Sequence, residues 1–212
     1  MSGFRLCERD EEIAHGLAIC VRLFSLRQIA QHWFFGDLAN ARRRMRQLQK
    51  ANIVECVQVR ARPLPQLRAP EVAWSPGDAT PNFGAASVRF RTRWRTLPVR
   101  TYAAFVASGQ TKRRYGGRGG SVIKNGVQVT HDLGVAQIWM LLDEQRPHLA
   151  DAWRGEDVMA QTRRGQKLPD AFIVDSQQRT ACVIEFGGAY ETQRIRDFHE
   201  DCRNRGLPYE IW

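Results

Sequence analysis

Residues 168–188 read LPDAFIVDSQQRTACVIEFGG. Asp170 follows a proline, a short apolar run leads into a turn, and a second apolar run ends in Glu185, fifteen residues after Asp170. An Asp entering one strand and a Glu closing the next are oxygen ligands of the kind a hard Mg²⁺ ion takes, and a metal-bound water can then attack a phosphodiester. Such chemistry also wants a cation, commonly a lysine two residues past the Glu, to stabilise charge developing on phosphorus. That position is Gly187. Glu156 and Asp132 are possible supporting acids, and Lys167, Gln193 or Arg194 could bring the missing polar or cationic group from elsewhere. Each acid also has a structural reading. Asp170 could cap a strand, Glu185 could pair with Arg194 or Arg196, and Asp132 could favour a helix N-terminus through the dipole. The residues alone leave two options: a metal-dependent endonuclease site of Asp170, Glu185 and Glu156 with Mg²⁺, or a hairpin with acids at its ends.

The elements that would position these acids follow from periodicity. THDLGVAQIWMLLDEQ is apolar around most of its circumference, as a buried helix is, with Thr130 as its expected N-cap. A strand is expected around EDVMA, then the hairpin PDAFIVD and ACVIEFG, a helix from about Glu191 to Arg205, and a final strand LPYEIW. Helix, strand, strand, strand, helix, strand is the layout of a restriction-endonuclease-like core of the PD-(D/E)xK type.

The front of the chain has a different pattern. Ile13, Leu17, Cys20, Val21 and Phe24 share one face of an amphipathic helix. Ser25 with Gln28 three residues on is a capping box, and Leu26, Ile29, Ala30 and Trp33 continue as an apolar stripe. After the turn FFGD, Asp37 is an expected N-cap for a third helix whose core face is Leu38, Ala41, Met45 and Leu48. Its opposite face carries Asn40, Arg43, Arg46, Gln47 and Lys50. Arg can bond guanine O6 and N7 bidentately, and Asn or Gln can do the same to adenine. Asn40 and Arg43 are therefore base-reading candidates, and Arg46 and Lys50 phosphate contacts. The strand-like runs IVECVQVR and VAWS, enclosing the Pro-rich RPLPQLRAP, fit the hairpin of a wing. The alternative for this region is a three-helix unit that binds protein.

In SVRFRTRWRTL, Val88, Phe90, Trp94 and Leu97 alternate with Arg89, Arg91, Arg93 and Arg95. On a strand the four arginines would repeat about every 6.6 Å along one face and could track a phosphate backbone. The loop TKRRYGGRGGSVIKNG is basic and glycine-rich but lacks GxxxxGK[ST], so no nucleotide cofactor is expected.

Charge supports a polyanion partner. The net charge is +10, and residues 1–130 hold 22 Lys+Arg against 8 Asp+Glu, whereas residues 131–212 hold 10 against 14. A GC-rich genome would favour Arg over Lys, and 28 of the 32 cations are Arg, but it would not create that asymmetry. With 43% hydrophobic residues the chain is expected to fold, and five cysteines without zinc-type spacing suggest a reducing compartment. Acids near the N-terminus and the lack of a long apolar run point to a cytoplasmic, nucleoid-associated protein without a membrane span. His131 and His199 read as structural hydrogen-bonding residues, and Cys202 beside His199 has no activating context.

LFSLRQIAQHWF with RRRMRQLQKANIV, HDLGVAQIWMLL, and LPDAFIVD followed by VIEFGG together make the chain resemble the plasmid replication-relaxation proteins. That resemblance implies an N-terminal winged helix, a restriction-endonuclease-like C-terminal domain, and DNA binding in plasmid or mobile-element replication, transfer or maintenance. Members of the family often carry a further acid after the Glu, where this chain has Phe186-Gly187-Gly188. The expected architecture is α/β (α+β): a winged helix-turn-helix at 1–78, a basic connecting segment at 79–130, and a restriction-endonuclease-like mixed-sheet domain at 131–212. Double-stranded DNA is the expected partner, with a homodimer possible, and Mg²⁺ only if the acids are catalytic. The alternatives are an active Mg²⁺-dependent endonuclease and a protein-interaction module.

Overall fold

A computed structural model describes residues 5–94, 98–117, 127–159 and 168–212. Helices and sheets are mixed, and the chain forms two compact units, each discontinuous in sequence. The first takes Met1–Arg62 and Val99–Gln137, the second Pro63–Pro98 and Ile138–Trp212. The chain therefore changes unit at 62/63, 98/99 and 137/138 rather than at 78 and 130.

In the first unit, α1 (Glu8–His15) runs into a π-helical turn (Gly16–Cys20), followed by β1 (Phe24–Ser25), α2 (Leu26–Trp33) and α3 (Leu38–Lys50). The capping box is formed: Ser25 Oγ accepts from Gln28 N at 3.2 Å and Gln28 Oε1 accepts from Ser25 N at 3.0 Å. Asp37 caps α3 by accepting from Ala39 N and Asn40 N at 3.0 and 2.9 Å. Ala41, Met45 and Leu48 are fully buried, as the apolar stripe of α3 requires. Leu38, expected on the same stripe, is exposed, because it sits at the first turn where the helix has just left the preceding loop. Asp10 of α1 is wholly buried and pairs with Arg44 of α3.

β2 (Val54–Ala61) and β4 (Arg100–Ala107) form an antiparallel ladder from Val54↔Ala107 to Ala61↔Arg100, and β1 pairs on the other side of β4, giving the order β1-β4-β2. The hairpin expected between IVECVQVR and VAWS does not form. VAW offers three residues, whereas RTYAAFVA offers eight with an apolar face, so β4 satisfies far more of the β2 backbone. α5 (Gly109–Arg114) follows, capped by Ser108 Oγ, which accepts from Thr111 N at 3.1 Å. α6 (Val127–Gln145) begins before its expected cap. Thr130 lies inside the helix, where its hydroxyl accepts from Arg62 N at 3.0 Å.

The second unit is a five-stranded mixed sheet of order β3-β8-β7-β6-β5. After the short α7 (Pro147–Asp151), β5 (Trp153–Gly155), β6 (Ala171–Val174) and β7 (Thr180–Glu185) form an antiparallel meander. β8 (Tyr209–Ile211) is reached through α9 (Thr192–Asn204) and runs parallel to β7, and β3 (Val72–Trp74) pairs antiparallel to β8. All four β6 residues are buried, as in a strand covered on both faces. The core joins Phe172, Val174, Val183, Tyr209 and Ile211 of the sheet to Ala86 and Phe90 of α4 (Phe83–Trp94) and Ile195 of α9.

Two strands expected from the sequence are helical. EDVM forms α8 (Glu156–Met159), and the strand is the preceding Trp153–Gly155. SVRFRTRW belongs to α4. Phe83, Ala86, Ser87 and Phe90 recur at helical spacing, and that period overrides the shorter Val-Arg-Phe-Arg alternation because it carries the buried face.

Burial pushes the Asp10 carboxyl up, but hydrogen bonds from Arg44 and from the thiol and amide of Cys7 outweigh it and hold it below its ordinary value of 3.8. A depressed folded value means stabilisation that is present at neutral pH and lost as pH falls through the folded value. Arg44→Met should leave the buried carboxylate without its countercharge, held by Cys7 alone, and cost about 3–5 kcal/mol. Thermal melts at neutral pH check this, and the gap between parent and variant should close in strong acid.

Candidate nucleic-acid interface and a buried carboxylate pair

On α3 the exposed residues include Asn40, Arg42, Arg43, Arg46, Gln47 and Lys50. Asn40 donates its amide to Asp37 Oδ2 at 2.9 Å and accepts from Arg43 through Oδ1, and Gln47 Oε1 accepts from Arg44 Nη1 at 2.8 Å. These bonds lie at the surface, where water already competes for them, so exchange for another polar partner is cheap. Within the first unit the sequence places 17 Lys+Arg against 7 Asp+Glu, and within the second 15 against 15. The net +10 of the chain therefore lies wholly in the first unit.

Two further arginines of that unit stand at the end of its sheet. Arg60 and Arg100 are both exposed at the open end of the β2–β4 ladder, where Arg60 faces Thr101 and Arg100 faces Ala61. Opposed residues of an antiparallel pair share a face, so Arg60 lies on the face of Thr101 and Arg100 on the other face, with Ala61.

The arginines do not line one face of a strand. On the α4 helix Arg89 Nε donates to Glu71 Oε2 at 2.6 Å and its Nη2 to Glu71 O at 3.0 Å. Arg93 turns inward, donating from Nη2 to Gly187 O at 2.7 Å and to Trp212 O, with Phe90 and Phe186 rings at 4.7 and 5.7 Å. Burial lowers its pKa to about 10, against the opposing charge of Glu71. Arg91 is exposed, and Arg95 lies outside the described residues.

The hairpin does bring the two principal acids together. Ala171 pairs with Ile184 across β6 and β7, so Asp170 and Glu185 are the next residues along the same two strands. Both are buried, at 9% and 6% exposure. Asp170 Oδ2 accepts from Phe186 N at 2.7 Å. Glu185 Oε1 accepts from the Tyr190 hydroxyl, with Arg194 Nη2 at 3.8 Å. Arg194 also donates to the Tyr190 hydroxyl at 2.8 Å and lies 4.0 Å over its ring. Burial, then the charge of Glu185 and its hydrogen bond, and the charge of Asp170, push the Tyr190 hydroxyl far above its ordinary value, with Arg194 opposing. Tyr190 is thus a fixed proton donor to Glu185.

Gly187, two residues past Glu185, has no room for any side chain. A Cβ there would lie 2.7 and 2.8 Å from Cδ1 and Cζ of Phe90, and in contact with Cε1. Real Cβ atoms essentially never come so close to ring carbons.

The remaining candidates disperse. Glu156 N donates to Asp170 O at 3.0 Å, which brings the start of α8 to the Asp170 backbone. Asp132 belongs to the first unit and pairs with Arg22 at 3.4 Å and Gln128 Nε2 at 2.8 Å. Gln193 bonds Asp197 at 2.7 Å, and Lys167 lies outside the described residues. His199 is held by the Tyr209 hydroxyl at 3.0 Å among Trp74, Phe83 and Tyr209, and the Cys202 thiol is pushed up to about 12 by burial, so it forms no thiolate at neutral pH. Among the described residues no group of three or more His, Cys, Asp or Glu side chains is placed to hold a metal ion, and no helix is long and apolar enough to cross a membrane.

Compared with protein-family models, with curated proteins and with solved structures, the chain matches none.

Gly187→Ala should cost roughly 1–3 kcal/mol, the usual range for overpacking a close-packed core, and Phe90→Leu in the same chain should recover part of that. Denaturant midpoints of the single and double variants test this. An unchanged midpoint for Gly187→Ala would mean the Phe90 ring yields without cost.

Proposed function

We propose that this protein binds double-stranded DNA through its first unit and that its second unit is a nuclease-like domain without efficient catalysis. The observation that carries the reading is the exposed α3 face: Asn40, Arg43, Arg46, Gln47 and Lys50 point outward from a helix with no acid between Leu38 and Lys50, in a unit holding all the net positive charge. The helix pair α2–α3 with its four-residue turn and the sheet order β1-β4-β2 support a winged helix-turn-helix in which β2 and β4 form the wing. In the second unit, the antiparallel meander β5-β6-β7 followed by α9 and a parallel β8 supports a restriction-endonuclease-like core. Closure of the Gly187 position by Phe90, and the engagement of Glu185 by Tyr190 and Arg194, favour loss of cutting. The resemblance to plasmid replication-relaxation proteins suggests such binding serves plasmid or mobile-element maintenance, and a homodimer on a palindromic site suits a single winged helix per chain.

A second reading is favoured by the side-by-side placement of Asp170 and Glu185. In it the protein is a Mg²⁺-dependent endonuclease, with the ion held by those two carboxylates and Glu156 assisting from the start of α8. The ion would supply an activated water there.

Nicking of supercoiled plasmid in Mg²⁺ or Mn²⁺, beside an EDTA control and an Asp170→Ala, Glu185→Ala variant, separates the two. Retarded but intact plasmid is expected, whereas metal-dependent nicking absent from the variant would establish the endonuclease. On a duplex selected by the protein, Arg43→Ala should cost about 1–3 kcal/mol and relax base preference. Replacing Arg46 and Lys50 together by Ala should weaken binding evenly across sequences and lower the salt slope by about 2, one for each phosphate no longer neutralised. Unchanged slopes would place both residues away from the DNA.

A further inference from the structure

Phe35 stands between α2 and α3 with its side chain entirely in solvent, at 102% relative exposure, and Leu38 one helical position past Asp37 is 41% exposed. The backbone that presents Phe35 is fixed on both sides. Phe34 N and Gly36 N both donate to Ala30 O, at 3.0 and 2.9 Å, and Asp37 N donates to Phe34 O at 2.9 Å. Phe34 itself is buried beneath the Arg9 guanidinium, 4.0 Å over its ring. Phe35 adopts φ +52°, a left-handed conformation that asparagine or glycine takes far more readily. A phenylalanine at this position therefore carries backbone strain and wet apolar surface at once, and packs against nothing that would offset either.

The surroundings narrow what could cover it. Arg42, Arg43 and Arg46 are exposed on the helix that follows; the one acid of the turn, Asp37, already accepts from Ala39 N, Asn40 N and Asn40 Nδ2, and no further acid occurs from Leu38 to Lys50. An occupant must accept an apolar tip beside a cationic rim. The DNA major groove has that character: phosphates line its walls, and among base edges the thymine C5-methyl is the apolar group, one that a phenylalanine can touch.

We propose that Phe35, seconded by Leu38, is a specificity-determining contact to thymine methyl groups at the N-terminal end of α3. This rests on the DNA-binding reading above. It adds an apolar contact to the hydrogen-bonding ones of Asn40 and Arg43, and assigns thymine as the base it favours.

The test starts from a randomised duplex pool enriched on the full chain. The recovered duplex is then synthesised with thymidine and again with deoxyuridine, which lacks only the C5-methyl. The variant is Phe35→Asn, which suits the left-handed backbone, so it should melt no lower than the parent. The parent should bind the deoxyuridine duplex roughly 4- to 15-fold more weakly, the scale of one or two methyl groups withdrawn from water. Phe35→Asn should show the same loss on the thymidine duplex and no further loss on the other.

Equal binding of both duplexes by the parent, or an equal loss by Phe35→Asn on both, overturns the methyl contact while leaving DNA binding intact. Unchanged DNA affinity in Phe35→Asn, with self-association abolished in sedimentation, overturns it in favour of a second copy of the chain. If no duplex enriches at all, the DNA-binding reading fails and this inference falls with it.

Discussion

Ala61 and Arg100 face each other at the open end of the β2–β4 ladder, and the chain between them has to accommodate that pairing. The segment between them must leave the first sheet and return to within one strand spacing, having contributed β3 and α4 to another core on the way. The entropy of closing so long an excursion grows only logarithmically with its length, so the ladder's eight paired residues outweigh it. The same pairing keeps β2 from being an unpaired edge on both sides.

In the second unit the governing contact is between a ring and an absent side chain. Phe90 can approach the backbone at Gly187 only because no Cβ stands there, and that approach seats α4 against the end of β7. One turn further along α4, Arg93 then reaches the carbonyls of Gly187 and Trp212, and the amide of Gly187 donates to Trp212 O at 2.8 Å. The end of β7 and the residue after β8 are thereby joined through one guanidinium. Asp170 and Glu185 lie at this sealed end, each already accepting a hydrogen bond from the protein itself. A pair of carboxylates in such a setting is a structural element first, and ligand chemistry there must compete with those bonds.

What was legible in the sequence was local. The capping box of Ser25 and Gln28, the Asp37 cap, the buried stripe of Ala41, Met45 and Leu48, and the hairpin that aligns Asp170 with Glu185 all depend on residues within a few positions of one another. The failures share the opposite property. VAW is a strand, but its partner is β8, more than a hundred residues away, and no short-range pattern could say so. The alternation in SVRFRTRW was real but shorter than the helical recurrence of Phe83, Ala86 and Phe90, which becomes decisive only when there is a sheet to bury it against. The glycine at 187 could be read as a missing lysine. That its place is taken by Phe90 is a fact of tertiary packing alone.

Because the two units interleave, order of synthesis and order of folding are at odds. A chain emerging from the ribosome presents β2 well before β4 exists to pair with it, and α3 can be complete while its sheet is not. Val72, Trp74 and Phe90 emerge next, yet their partners on β7 and β8 are made only after α6 and the strands that follow it. The nascent molecule therefore carries unpaired strand and apolar helix surface until β7 and β8 have been made, a state in which chaperone capture and aggregation compete directly with folding.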